Sequence, residues 1–87
     1  MKKNNIVVLG GSGLIGESIV TNLLKKKYNV IVLDLILSRK NKINLQNKKI
    51  DFIKFDITNI KDHKKTVSDI FNKYIFIDGF INCSYPT

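Results

Sequence analysis

Tryptophan is absent from these 87 residues, and cysteine, proline, histidine and methionine each occur once. The single cysteine, Cys83, excludes an internal disulfide framework and fits a reducing compartment. With one histidine and one cysteine, no grouping has metal-site spacing, so no metal ligand is expected. The only proline, Pro86, leaves no proline-rich linker, and no internal repeat divides the chain. Long apolar runs are missing too: nothing approaches the roughly 18 residues of a membrane span. The opening "MKKNNIVVL" is not a secretory signal, because glycines break it after four apolar residues and Glu17 soon follows. A cytoplasmic protein of one domain at most is expected, near the lower size limit for an unaided hydrophobic core.

Acidic residues are scarce, 7 against 15 basic ones, for a net charge of +8. Such a balance raises the question of nucleic acid. The basic residues are scattered as "KKK" at 25–27, "RKNK" at 39–42 and "KK" at 48–49 and 64–65. No aromatic-rich basic motif accompanies them. Lysine, isoleucine and asparagine supply 14, 14 and 10 residues, a bias of the kind an AT-rich genome produces. The basic residues are therefore read as solvated surface, with neither nucleic acid nor membrane as partner.

What is present is an alternation of buried-strand and helix patterns. "NIVVL" (5–9) and "NVIVLD" (29–34) are short β-branched runs suited to strands covered on both faces. Between them Ile15, Ile19, Val20, Leu23 and Leu24 fall at helical spacing, and "KKK" places positive charge at the helix C-terminus. "IDFIKFD" (50–56) reads as a third strand. Residues 58–74 read as a helix with Ile60, Val67, Ile70, Phe71 and Tyr74 on its apolar face, started by Asn59 and Asp62. "IFIDGFINC" (75–83) supplies a fourth strand, from about Phe80 after a turn at Asp78-Gly79. The stretch 35–49 has poor periodicity and predicts a short or frayed helix in a basic loop. The fold class is α/β: an incomplete doubly wound parallel sheet, Rossmann-like, with four strands in the order 3-2-1-4.

Four glycines crowd "GGSGLIG" (10–16), between the first strand and the first helix. Both G-x-G-x-x-G (Gly11, Gly13, Gly16) and G-x-x-G-x-x-G (Gly10, Gly13, Gly16) can be read there. A helix N-terminus offers unpaired N–H groups and partial positive charge, so a diphosphate can settle on it where side chains do not intervene. Gly10 and Gly13 allow the turn and the approach, and Gly16 lets the helix pack closely. Ser12 adds a hydroxyl donor, and Leu14 and Ile15 open the helix beside it. Asp34 closes the second strand 18 residues after Gly16, where a carboxylate accepts both ribose hydroxyls and repels a 2′-phosphate. NAD is therefore expected over NADP, although Ser38, Arg39 and Lys40 could neutralise a 2′-phosphate if their loop folds back. Asp56 can accept from an adenine amino group with Ile57 against the ring, or can serve the turn into the next helix.

With "GGSGLIG", Asp34, "FDIT" (55–58) and "IDGFINCSY" (77–85) in place, the chain resembles the short-chain dehydrogenase/reductase superfamily over essentially its whole length. The glycine spacing is closer to the extended branch of nucleotide-sugar epimerases and dehydratases. "INCS" is instead similar to the Asn-Asn-Ala-Gly segment of the single-domain oxidoreductases: Asn82 matches the first Asn, and Cys83, Ser84 and Tyr85 replace the rest. "NCSYP" is also loosely similar to oxidoreductases of bacterial surface-sugar and flagellin-modification pathways. The resemblance implies that Asn82, Cys83 and Ser84 line the cofactor's ribose, where simple packing at a strand end is the alternative.

The family's chemistry uses a Ser and a Tyr-x-x-x-Lys pair. Here Val32 stands four residues after Tyr28, Asp78 stands four after Tyr74, and Tyr85 is followed by two residues. No catalytic residue is assigned. Cys83 has no identifiable base, and His63 lies between Ile60 and Val67 at the border of an apolar face. The expectation is that residues 1–87 form the N-terminal part of one NAD(P)-binding Rossmann domain, truncated after its fourth strand and inactive alone. The parent protein would be an oxidoreductase moving hydride to or from a hydroxyl or keto group of an unidentified small molecule, and can be a homo-oligomer. An extended-branch epimerase or dehydratase fragment and a non-enzymatic dinucleotide-binding module are the alternatives.

Overall fold

Residues 5–9 and 29–34 have no polar side on which water could be met, and the fold covers both of their faces. The computed structural model describes residues 4–56, 58–74 and 76–83, the side chains of Ile60 and Asp62 excepted. In chain order the elements are β1 (Asn5–Leu9), α1 (Leu14–Lys25), β2 (Asn29–Asp34), α2 (Arg39–Gln46), β3 (Ile50–Lys54), α3 (Ile60–Lys73) and β4 (Gly79–Asn82). The four strands form one parallel sheet in the order β3-β2-β1-β4, as the alternating pattern predicts. Ile6, Val8, Val30, Val32 and Ile50 pack on one face with Val20 of α1. Val7, Leu9, Ile31 and Leu33 pack on the other with Phe55 and with Ile70 of α3. Val7 and Ile31 are fully buried, each worth about 2 kcal/mol of transfer free energy.

The parallel register brings the strand ends of interest together. Leu9 lies opposite Leu33 on one side and opposite Asn82 on the other, so the carboxyl ends of β1, β2 and β4 share one rim. Asn5 sets this register at the opposite rim: its N–H donates to Asp78 Oδ2 at 2.7 Å, and its Nδ2 donates to the Phe76 carbonyl at 2.9 Å. Asp78 N–H in turn donates to the Asn5 carbonyl at 2.8 Å. The fourth strand accordingly begins at Gly79, directly after Asp78.

Two elements, β3 and α3, differ from the sequence reading. β3 stops at Lys54, because Asp56 turns the chain: its Oδ1 accepts from Thr58 N–H at 2.9 Å and Thr58 Oγ1 at 2.6 Å. α3 runs Ile60–Lys73 with Asn59 at its N-cap, but the Asn59 side chain makes no capping bond. Its inner stripe also differs. Thr66 and Ile70 are buried, while Val67 and Phe71 stand 51% and 64% exposed. The small Thr66 lets the helix settle on the sheet, and one sheet face cannot cover the whole apolar arc that the sequence displays. Among the described residues no helix is long and apolar enough to cross a membrane.

Candidate functional site

The site grows from the turn between β1 and α1. Gly10 takes φ 76°, a left-handed conformation open to glycine, and its N–H donates to the Leu33 carbonyl at 2.8 Å. Gly13 N–H closes the turn on the Gly10 carbonyl at 3.2 Å, and Gly13 is the N-cap of α1. The first bond along α1 runs from Glu17 N–H to the Gly13 carbonyl at 2.8 Å. The N–H groups of Leu14, Ile15 and Gly16 precede that bond, and helix geometry leaves such donors for an outside acceptor.

The glycines differ in what they are for. A Cβ on Gly16 would lie 2.1 Å from the Gly10 carbonyl oxygen and 2.8 Å from Gly11 Cα, so α1 needs glycine there to meet the turn. A Cβ on Gly11 would lie 2.8 Å from a methyl of buried Val32. Gly13 is unlike both. Its φ of −75° suits any residue, and a Cβ would meet only the Gly10 carbonyl oxygen, at an ordinary 3.6 Å. The protein's own packing does not require a bare backbone at Gly13.

Asp34 stands beside this cradle. Its Oδ2 accepts from Ser12 N–H at 3.0 Å and its Oδ1 from Leu35 N–H at 2.7 Å. A carboxylate offers about four acceptor positions, so capacity remains for two hydroxyls. Ser12 Oγ accepts from Ser38 N–H at 3.1 Å and from Asn41 Nδ2 at 3.4 Å. Those two donors direct the Ser12 hydroxyl proton away from themselves. The 35–38 loop is thus folded back onto the glycine turn, which brings Ser38 and Arg39, at the start of α2, to the Asp34 side of the cradle.

Asn41 is the residue that sequence reasoning missed. It is fully buried, donates to the Gly11 carbonyl at 2.8 Å, and accepts from Asn44 Nδ2 at 3.3 Å. Its own N–H donates to Ser38 Oγ at 3.2 Å, which makes Ser38 the N-cap of α2. The signal was there in "SRKN", a capping serine followed by asparagine. Replacing Asn41 by leucine leaves the Gly11 carbonyl without this donor and is expected to cost about 2 kcal/mol. Urea unfolding of the variant checks the cost, and dinucleotide affinity should fall with it.

The remaining candidates distribute along the same rim. Asn82 is exposed at the end of β4, and Cys83 N–H donates to the Leu9 carbonyl at 2.8 Å. Cys83 packs against the α1-side core, and burial pushes its thiol above the usual range. Asp56 follows β3, with its carboxyl held below the ordinary range by the Thr58 hydroxyl, the Thr58 N–H and nearby His63. The His63 ring lies 4.9 Å from that of Phe55. Ile57 and Ser84 lie outside the described residues. The structure therefore brings Gly10, Ser12, Gly13, Gly16 and Asp34 into contact, and sets Asn82 and Cys83 on the neighbouring strand end.

Tyr74 is far from suited to proton transfer. Its hydroxyl donates to Asp51 Oδ2, and burial, followed by that carboxylate, drives its pKa well above the ordinary tyrosine value. Raised in the folded state, it contributes stability below about pH 10 that is lost as pH rises further. The melting-temperature gap between the native protein and Tyr74→Phe should therefore shrink in alkaline buffer.

A family model described as short chain dehydrogenase matches residues 4–84. The chain belongs to the short-chain dehydrogenase family. The post-translational flagellin modification protein A of Campylobacter coli is 33% identical over 92 residues, covering 99% of this chain and 36% of the relative. A short-chain dehydrogenase from Leptospira borgpetersenii, solved with bound NAD+, superposes with a TM-score of 0.84 at 28% identity. That match covers all of this chain and 33% of the other. ElxO, solved with NADP bound, shares the fold with a TM-score of 0.83 at 21% identity, over 99% of this chain and 36% of its own. The chain spans about a third of the length of these three proteins.

Proposed function

We propose that residues 1–87 are the N-terminal, cofactor-binding part of one Rossmann domain in an NAD(P)-dependent oxidoreductase. Such an enzyme moves hydride to or from a hydroxyl or keto group of a small molecule. The observation that carries this reading is the Asp34 carboxylate bonded to Ser12 N–H, directly beside the open N-terminus of α1. The residues present fit a dinucleotide. N–H groups of Leu14, Ile15 and Gly16, with the Ser12 hydroxyl, would hold the diphosphate over the bare Gly13. Asp34 would accept the adenosine ribose hydroxyls, which favours NAD over NADP. Asp56 and Ile57 would border the adenine, and Asn82, Cys83 and Ser84 the second ribose. When bound, the nicotinamide accepts or supplies the hydride. This chain's residues would orient it, and no proton-transfer group is proposed among them.

A second reading, a nucleotide-sugar epimerase, is favoured by the G-x-x-G-x-x-G spacing. Product analysis of the complete gene product separates the two. An oxidoreductase accumulates one NADH for each keto product; an isomerised product with no net NADH would reassign the chain to the epimerases.

A further inference from the structure

Away from the cradle, α1 and α2 enclose a concave cleft of about 460 Å³. Five lysines line it: Lys25, Lys27, Lys40, Lys48 and Lys49. Thr21, Tyr28, Asn29 and Asn44 add hydrogen-bonding groups, and no carboxylate appears among the described residues that line it. Like charges gathered in a concavity repel one another and focus a positive potential into it.

A second observation concerns how those lysines are held. Both helices end in the same motif. In α1, Tyr28 N–H reaches the Leu23 carbonyl at 3.1 Å and Lys27 N–H the Leu24 carbonyl at 3.1 Å. In α2, Lys49 N–H reaches the Asn44 carbonyl at 2.8 Å and Lys48 N–H the Leu45 carbonyl at 3.0 Å. The motif puts its pivotal residue in the left-handed region, where glycine or asparagine is usual. Here the pivots are Lys27 at φ 69° and Lys48 at φ 57°. Both stand against their backbone preference, and both line the one cleft.

We propose that this cleft is a second anion site, which takes a small molecule carrying several phosphate charges. Its volume lies within the range of about 300–1,000 Å³ typical of small-ligand pockets. Tyr28 and Leu24 give it a partly apolar wall. Four of its five lysines lie away from the cradle, at the ends of α1 and α2, while Lys40 stands next to Arg39 at the start of α2. The glycine turn precedes α1 whereas Lys25 and Lys27 lie at its far end, and twelve helical residues span about 18 Å.

The test titrates inorganic tripolyphosphate into the complete gene product at low salt, with Lys27→Gly/Lys48→Gly and Gly13→Ala as variants. The native protein should bind saturably. The double-lysine variant should melt higher, its backbone strain relieved, and bind at least about tenfold more weakly. Gly13→Ala, which obstructs the cradle and not the cleft, should keep a saturable tripolyphosphate site. Absence of saturable binding, equal affinity in the double-lysine variant, or loss in Gly13→Ala would each overturn the proposal. So would a lower melting point of the double-lysine variant. A random single-stranded oligonucleotide that binds more tightly than tripolyphosphate, with a steep salt dependence, would overturn it in favour of nucleic acid.

Discussion

Replacing Gly16 by alanine is expected to destabilise the fold by about 3 kcal/mol or more. The added methyl would sit 2.1 Å from the Gly10 oxygen, and its next two neighbours, at 2.8 and 2.9 Å, are also backbone atoms. No side chain can rotate to make room. The Gly10 peptide is itself held by Leu33 and Gly13, so relief requires breaking the turn. A domain of this size has a total stability of about 5–15 kcal/mol, of which this loss is a large share. Gly13→Ala gives the contrast. Its backbone is ordinary and its surroundings are open, so stability should change by less than about 1 kcal/mol. Dinucleotide affinity should nevertheless fall at least about tenfold, because the methyl would stand where the proposed diphosphate approaches. Urea unfolding and cofactor titration of the two variants separate a glycine required by the fold from one required by the ligand.

Asp34→Asn is expected to reverse the cofactor preference. On the proposed reading the native carboxylate would favour ribose hydroxyls and repel a 2′-phosphate. Asparagine keeps one oxygen for Ser12 or Leu35 N–H but removes the charge. The folded-back loop then presents Ser38, Arg39 and the N-terminus of α2 to a 2′-phosphate with no opposing carboxylate. NADH affinity should drop about tenfold and the NADPH-to-NADH ratio should invert. A structural defect alone would weaken both cofactors equally and leave the ratio unmoved, which is the outcome that opposes this assignment.

The parts of this site set by backbone were legible in the sequence. β1 and β2 are apolar at every inner position, so only a sheet covered on both faces suits them, and Asp34 had to emerge at the rim next to the glycines. α2 was hardly legible, because its residues are mostly charged or amide-bearing and its anchor to the sheet is polar. Asn41 gives no hydrophobic signal, and its buried bond to the Gly11 carbonyl spans 30 positions in sequence. α3 shows the reverse problem. Its apolar arc is broad, and sequence periodicity could not tell that Thr66, rather than Val67, meets the sheet. The left-handed lysines were invisible for a related reason: a helix that ends without glycine gives no local sign of the conformation it imposes.

The central claim is that a nicotinamide dinucleotide lies on the α1 N-terminus with its adenosine ribose at Asp34. Equilibrium titration of the complete gene product with NADH, followed by nicotinamide fluorescence, tests it most directly. The expected result is saturable binding that Gly13→Ala weakens without unfolding the protein. No saturable signal up to millimolar NADH or NADPH, in a sample shown to be folded, would contradict it.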